Sequence, residues 1–286
     1  MTTESTSAAA PGYNAASTLP LRVEAVRQIR RRRTAVTFAL MAALPVIVWA
    51  AMAIGGVNSN STNTPDLIDV GTSSGINFAF AVVFLASGFL LSVPVALFFG
   101  DTIASEANWS SLRYLLVAPV SRARLLYSKF AVALGLSVVA MLLLPATALA
   151  IGMAAYGQGD LHLPSAGSLP LGTSVSRFAL IAGYMLVCQL SVATFALWLS
   201  TVTDAPLGAV GGAVGLVIVS SILDNISALG SLRTFLPTHG MYAWAGILQP
   251  NPEWTGMIEG VSLSLSLAAI FTALALRHFR NQDIVS

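Results

Sequence analysis

The sequence predicts an all-α integral membrane protein with six transmembrane helices, and three observations carry that prediction. Only 9% of the 286 residues are charged, against about 25% in ordinary soluble domains. Hydrophobic residues make up 56% and mean hydropathy is +0.78, so there is too little charge to cover a soluble surface and most of the chain is solvated by lipid. Finally, six apolar stretches approach the roughly 20 residues that a helix needs to cross a hydrocarbon layer of about 30 Å.

These stretches are Ala35–Val57, Phe78–Phe99, Phe130–Tyr156, Phe178–Leu199, Ala205–Ile222 and Val261–Leu276. The last is short unless it starts near Met257, and it carries Glu259 at its mouth. Pro45, Pro94 and Pro145 fall inside three of the runs and predict kinks, which neighbouring helices make tolerable in a membrane. Residues Met1–Pro20 are polar and rich in Ala, Ser and Thr. They lack the apolar core of a signal peptide, so the first span is expected to direct insertion. The expected division is a cytoplasmic tail with an amphipathic interfacial helix over 1–34, then one six-span domain over 35–286.

Basic residues orient the spans. With both termini cytoplasmic, the inner segments hold Arg22, Arg27, Arg30, Arg31, Arg32, Arg33, Arg113, Arg122, Arg124, Lys129, Arg277 and Arg280, leaving only Arg177 and Arg233 outside. That asymmetry follows the positive-inside rule and points to a multi-pass protein of a bacterial inner (plasma) membrane. An odd number of spans would strand one basic terminus on the wrong face. The net charge of +2 suggests no nucleic-acid partner. The single cysteine, Cys188, excludes an intrachain disulfide framework and reads as a small core residue.

The outer connections 58–77 and 157–177 are polar and rich in Gly and Pro, hence ordinary loops. Asn60-Ser61-Thr62 fits a glycosylation acceptor, a triplet that arises readily by chance. The inner connection Gly100–Lys129 is different. Asn108 can cap a helix in which Trp109, Leu112 and Leu116 recur at spacings of three and four, with Leu115 widening that face. Pro119 disfavours helix at Ala118, Ser121 offers a second cap, and Arg122–Lys129 leads helically into the third span. The apolar face is too small to span a bilayer and too oily for water. It either lies on the membrane surface or docks on another protein.

In order, Glu106, Leu115-Leu116, Pro119-Val120-Ser121-Arg122 and Lys129 resemble the signature of type-2 ATP-binding-cassette (ABC) transporter permeases. That family shows an acidic residue, a Leu-Leu pair, Pro-Val-Ser-Arg and a lysine opening the third of six spans. The resemblance covers the whole architecture, though its motif is confined to this segment. Trp109-Ser110 stands where the family often has Gly-Thr, and Ser128 where it often has glycine; these departures bear on subfamily and substrate. The resemblance implies a cytoplasmic coupling helix between spans two and three that seats on a separate ATPase. Leu112, Leu115 and Leu116 would fill a groove there, and Arg113, Arg122 and Arg124 would meet acidic groups, around a turn set by Pro119 and Ser121. Glu106 reads as a hinge or gate residue, or equally as a solvated acid at a helix start. Arg122 and Lys129 read equally as topology determinants beside phospholipid.

Leu19–Arg33 is a second amphipathic element: Leu19, Val23 and Val26 recur at helical spacing, and Arg30, Arg31, Arg32 and Arg33 crowd its membrane end. It resembles the family's interfacial helix, with arginines on anionic headgroups; a stop-transfer cluster without defined helix is the plainer alternative. Asn225–Ile258 contains Phe235, Leu236, Pro237, Met241, Tyr242, Trp244 and Ile247, too apolar for a free loop and too interrupted for a span. It is expected to form an outer re-entrant hairpin between spans five and six, with Tyr242, Trp244 and Trp254 at headgroup depth. That hairpin either caps an exit path or simply anchors. Gly208 with Gly212, and Gly211 with Gly215, form two small-xxx-small registers that suit packing within the subunit better than a dimer seam. Outside charges Asp224, Arg233, His239 and Glu253 are candidates for an outer gate.

Span centres lack Asp, Glu, Lys and Arg, which argues against a proton-coupled carrier. His162, His239 and His278 are too scattered for a shared metal site. There is no phosphate-binding loop, so ATP hydrolysis is not expected of this chain, and no His-Glu-x-x-His or Gly-x-Ser-x-Gly pattern occurs. The expectation is a permease subunit, itself not an enzyme, of an ATP-driven ABC exporter of a hydrophobic or amphipathic substrate. It needs no cofactor of its own; ATP and Mg would sit on a cytosolic ABC ATPase partner. A second permease subunit, identical or related, and membrane lipids complete the expected partners. The rivals are a polytopic membrane enzyme acting on lipid at the outer hairpin and a non-transporting anchor for a cytosolic partner.

Overall fold

The structure, a computed structural model, describes residues 21–55, 70–108, 122–163, 167–249 and 251–281. The chain is a membrane-embedded, mostly helical protein. Its helices are α1 (Leu21–Ile29), α2 (Arg32–Gly55), α3 (Gly75–Ser87), α4 (Ser92–Gly100), α5 (Ala104–Asn108), α6 (Arg122–Tyr156), α7 (Leu171–Cys188), α8 (Leu190–Val202), α9 (Pro206–Asp224) and α10 (Thr255–Asn281). Among the described residues, five helical rods are long and apolar enough to cross a membrane, with α7 and α8 counted as one rod. The bent pair α3–α4 makes up to six.

The centre of the bundle is α3. It is apolar on every face, and Ile76, Phe78, Ala79, Phe80, Ala81 and Val82 are all buried, as an all-round hydrophobic helix must be. It packs on α6, with α4 continuing against α6, α8 and α9. The peripheral rods α2, α9 and α10 bury narrow stripes and leave Ile54, Leu207 and Ile258 exposed, the pattern of helices whose outer faces meet lipid.

Two of the rods are broken, and the prolines do not explain both breaks. The α3–α4 pair bends by 49°. There the Leu91 N–H reaches back five residues to Ala86 O, at 3.1 Å, and the Ser92 N–H only three, to Phe89 O, at 2.9 Å; this wide-then-tight turn is a usual cause of a kink. Pro94 sits in the first turn of α4, where its missing N–H costs nothing. The second break, at Gln189 between α7 and α8, contains no proline. The two meet inside the protein, where Gln189 Nε2 donates to Ser92 Oγ at 2.9 Å. By contrast, α2 and α6 remain continuous helices through Pro45 and Pro145.

Several expectations are corrected. The third and fourth rods begin well before Phe130 and Phe178, and the last runs from Thr255 to Asn281. The 157–177 connection is not a plain loop. Its strands Leu161–Leu163 and Gly167–Leu169 pair antiparallel, Leu161 facing Leu169, and the hairpin is tied to α3 because Asn77 Nδ2 donates to His162 O at 2.7 Å while the His162 N–H donates to Asn77 Oδ1 at 2.9 Å. Between α9 and α10 lie two 3-10 segments, Ser227–Phe235 and His239–Leu248. Trp244 is not at an exposed interface: it is fully buried against Phe80 and Phe84, whereas Tyr242 and Trp254 are exposed. The triplet Asn60-Ser61-Thr62 lies outside the described residues.

The two glycine registers of α9 part company. A Cβ at Gly212 would meet the Leu199 side chain at 2.8 Å, so this register packs on α8, whereas a Cβ at Gly211 or Gly215 would meet no other part of the described chain within 4 Å. The tightest backbone approach is one that the spacing rule did not single out. A Cβ at Gly75 would sit 2.6 Å from Met153 N and 2.7 Å from Gly152 O. Because backbone atoms cannot rotate away, Gly75→Val is expected to part α3 from α6 and cost about 1–3 kcal/mol. Denaturant titration of the detergent-purified protein should show that loss, while Gly211→Ala, into open space inside a helix, should leave the midpoint unchanged or raise it slightly.

Candidate functional site

Seven charged side chains, Glu24, Arg27, Arg31, Arg33, Asp101, Glu106 and Lys129, converge on one cluster at one end of the bundle. It is built from α1, the elbow that joins α4 to α5, and the first turns of α6. Asp101 closes the C-terminus of α4, and its carboxylate accepts from Arg31 Nη1 at 2.9 Å and from Arg33 Nη1. Five residues on, Glu106 is buried in α5 with 2% of its surface exposed. It accepts from Lys129 Nζ at 3.1 Å and from Arg27 Nη2, and Arg31 Nη2 lies 4.0 Å away. Glu24 completes the set, accepting from Lys129 Nζ at 3.4 Å, from Gln28 Nε2 at 3.0 Å and from Arg27.

Local structure explains the convergence. Glu24, Arg27 and Gln28 recur at helical spacing on one side of α1. A tight turn at Arg30 and Arg31, held by Thr34 Oγ1 donating to Gln28 O at 2.7 Å, swings Arg31 and Arg33 toward Asp101. The elbow is pinned from the membrane side: the amide N–H groups of Ile103 and Ala104 both donate to Ser200 Oγ at 3.0 Å. Ser200 lies on α8, so the elbow is fastened to the broken fourth rod.

Four cations thus surround three carboxylates at a site largely removed from water. Removing charges from water is expensive, and their mutual attraction compensates only when the partners are complete. At Glu24, burial pushes the carboxyl up, but Lys129, Arg27 and Gln28 together pull it further down, below its ordinary value of 4.5. Its contribution to holding α1 is therefore fully present above pH 4.5 and is lost as pH falls through the lowered folded value.

The cluster frames a particular piece of chain. Glu106 lies two residues before the end of α5 at Asn108, and Lys129 lies two turns into α6, which opens at Arg122. Their ion pair closes the base of residues 109–121. Leu112, Arg113, Leu115, Leu116, Pro119 and Ser121, expected to form the coupling helix, lie outside the described residues, as do Trp109 and Leu19. Arg124 is exposed on the first turn of α6.

Three placements differ from expectation. Lys129 is not at the lipid surface; it is as buried as Glu106, because its ammonium is the shared counter-charge of two carboxylates. Glu106 is not a solvated acid. Arg31 and Arg33 are not spread over headgroups but hold Asp101, leaving Arg30 and Arg32 exposed. Glu24, Gln28 and Asp101 were missed altogether. The available signal was scarcity, since the chain has only 12 acidic residues among 286. Elsewhere, His239 Nδ1 and Asp224 Oδ1 lie 2.5 Å apart and the Arg233 side chain donates to Asp224 O at 3.2 Å. Three of the four charges expected at an outer gate are therefore neighbours. Among the described residues no group of three or more His, Cys, Asp or Glu side chains is arranged to hold a metal ion.

A family model described as "Protein of unknown function (DUF2705)" matches residues 39–285. The chain belongs to this family. The matched region contains Asp101, Glu106 and Lys129, whereas α1 with Arg27, and the following Arg31 and Arg33, precede it. A search of curated proteins finds no match.

Two outcomes follow from the cluster. Glu106→Gln and Lys129→Met should each cost about 1–3 kcal/mol by leaving the cluster one charge out of balance, while the double variant should cost less than their sum; a double-mutant cycle in denaturant measures both. Amide exchange protection of α1 should fall as pH drops below 4.5 in the wild-type chain, and Glu24→Gln should flatten that step.

Proposed function

We propose that the chain is the membrane-spanning permease subunit of an ATP-driven ABC transporter, an exporter of a hydrophobic or amphipathic substrate. The observation that carries this reading is the ionic brace at the base of residues 109–121. The Leu-Leu and Pro-Val-Ser-Arg segment, by resemblance the seat for a separate ATPase, leaves and rejoins the bundle through the two ends of the Glu106–Lys129 pair.

The proposed mechanism is mechanical. Each of two permease subunits, identical or related, rests on a cytosolic ATPase chain through Leu112, Leu115 and Leu116, with Arg113, Arg122 and Arg124 facing acidic groups. Closure of the ATPases pushes the segment. Because Glu106 and Lys129 are bound to each other and to α1, the push is delivered to α5 and α6 together instead of being absorbed in a slack loop. From the elbow it passes through Ser200 to α8, and α8 adjoins the Gln189 break, which touches the α3–α4 break through Ser92. In this reading six crossings, with α3–α4 counted as one, put both termini in the cytoplasm of a plasma membrane. α1 is the interfacial helix and the 227–248 segment caps the outer side. ATP and Mg belong to the partner subunit.

Two measurements test it. In tagged purifications from native membranes, a chain with a phosphate-binding loop should accompany the wild type and be lost with Leu115→Asp plus Leu116→Asp, at unchanged membrane content. Undiminished copurification overturns the docking role. A cysteine at position 113 (Arg113→Cys) should react with an impermeant thiol reagent only after the cells are permeabilised, and labelling in intact cells overturns the topology.

A further inference from the structure

The two sides of α1 do different things. Glu24, Arg27 and Gln28 turn to the ionic cluster, whereas Leu21, Ala25 and Ile29, four residues apart, turn with Arg22 to a groove on α6. The groove encloses about 480 Å³, within the roughly 300–1,000 Å³ of pockets that take small ligands. Its α6 wall includes Gly135, Leu136 and Val139, on a rod that crosses the membrane. Leu21, Ile29 and Val139 are each about half exposed at 52%, 53% and 53%, so the groove is open to its surroundings and apolar. Nothing lies within 4 Å of a Cβ built on Gly135; the glycine leaves space that no part of the described chain fills.

One lining side chain is charged. Arg22 is exposed and has no ion pair or hydrogen bond among the described residues; the nearby carboxylate of Glu24 is engaged by Lys129 and Arg27. An apolar trough on a membrane rod, with one unneutralised guanidinium in its wall, is complementary to an acyl chain that carries an anionic headgroup. Arginine suits a phosphodiester because its planar fork can donate two parallel hydrogen bonds.

We propose that the cleft between α1 and α6 holds one anionic phospholipid of the surrounding bilayer, its tail along Gly135, Leu136 and Val139 and its phosphate on Arg22. The lipid then completes the packing of α1, which the protein itself supports on only one side by ion pairs. Residues 1–20, which are polar and include Glu4, suit this trough poorly. The inference needs only the membrane embedding of the chain and is independent of the transport reading.

The test uses the full chain in phosphatidylcholine vesicles containing a trace of phosphatidylglycerol with a photoactivatable group on one acyl chain, with adducts mapped by mass spectrometry. Adducts should fall on residues 131–139, and unlabelled phosphatidylglycerol should compete about fivefold better than phosphatidylcholine, the preference conferred by one basic residue near a headgroup. Arg22→Gln should abolish that preference while leaving the adduct. Gly135→Phe should remove the adduct there and leave labelling on the lipid-facing side of α9 unchanged, which shows that the variant is folded. Equal competition by the two lipids in the wild-type chain overturns the proposal, as does an undiminished adduct in Gly135→Phe. So does the absence of any adduct at 131–139 in the wild type, the result expected if residues 1–20 or a second copy fill the groove.

Discussion

One end of this bundle is organised by the pairing of Lys129 with Glu106. Both side chains are buried, with 2% exposure each, and neither could stay there alone: an uncompensated charge at such a site costs several kcal/mol. Once the pair exists, its remaining valences have to be filled, and α1 fills them: Arg27 answers Glu106 and Glu24 answers Lys129. Just beyond α1, Arg31 in the turn and Arg33 at the start of α2 answer Asp101. The N-terminal helix is therefore not an independent float on the membrane surface. It is fastened to the second and third rods by charges that water does not screen well.

The same logic recurs in the middle of the bundle with neutral groups. A broken rod exposes backbone and side-chain polar atoms that lipid cannot satisfy. Here the breaks in the second and fourth rods face each other, so the Gln189 amide nitrogen donates to Ser92 Oγ, although Gln189 Oε1 stays buried without a partner among the described residues, and Ser200 on the fourth rod serves the two amides that open the elbow. These contacts make a continuous line from the ionic cluster to the centre of the protein. Each link is a polar group with few alternative partners, which is what a device for passing displacement through an apolar medium requires.

α1 also shows how one short helix can serve two solvents. Its polar side is complete within the protein, and its apolar side is complete only when something chain-like lies against α6. A helix of nine residues is too short to hold itself together in water. Its order rests on the ion pairs on one side and on the filling of the groove on the other.

Composition and periodicity by themselves determined that this is a helical protein of the membrane, because burial in lipid is written in runs of residues that need no partner to be recognised. They also located the apolar rods, the amphipathic N-terminal helix, and the unusual segment between the second and third rods. What the tertiary structure decided is every feature that depends on two distant residues meeting. Lys129, Arg31 and Arg33 look, in sequence, like flank charges beside headgroups, and Trp244 looks like an interface anchor. Their placement inside the protein follows from Glu106, Asp101, Phe80 and Phe84, which lie 23 to 164 positions away. The glycine contact of Gly75 with Gly152 and the meeting of the two breaks escaped notice for the same reason. A helix reports its own face through its period, but the charge or backbone that will stand opposite that face is fixed only when the rods pack.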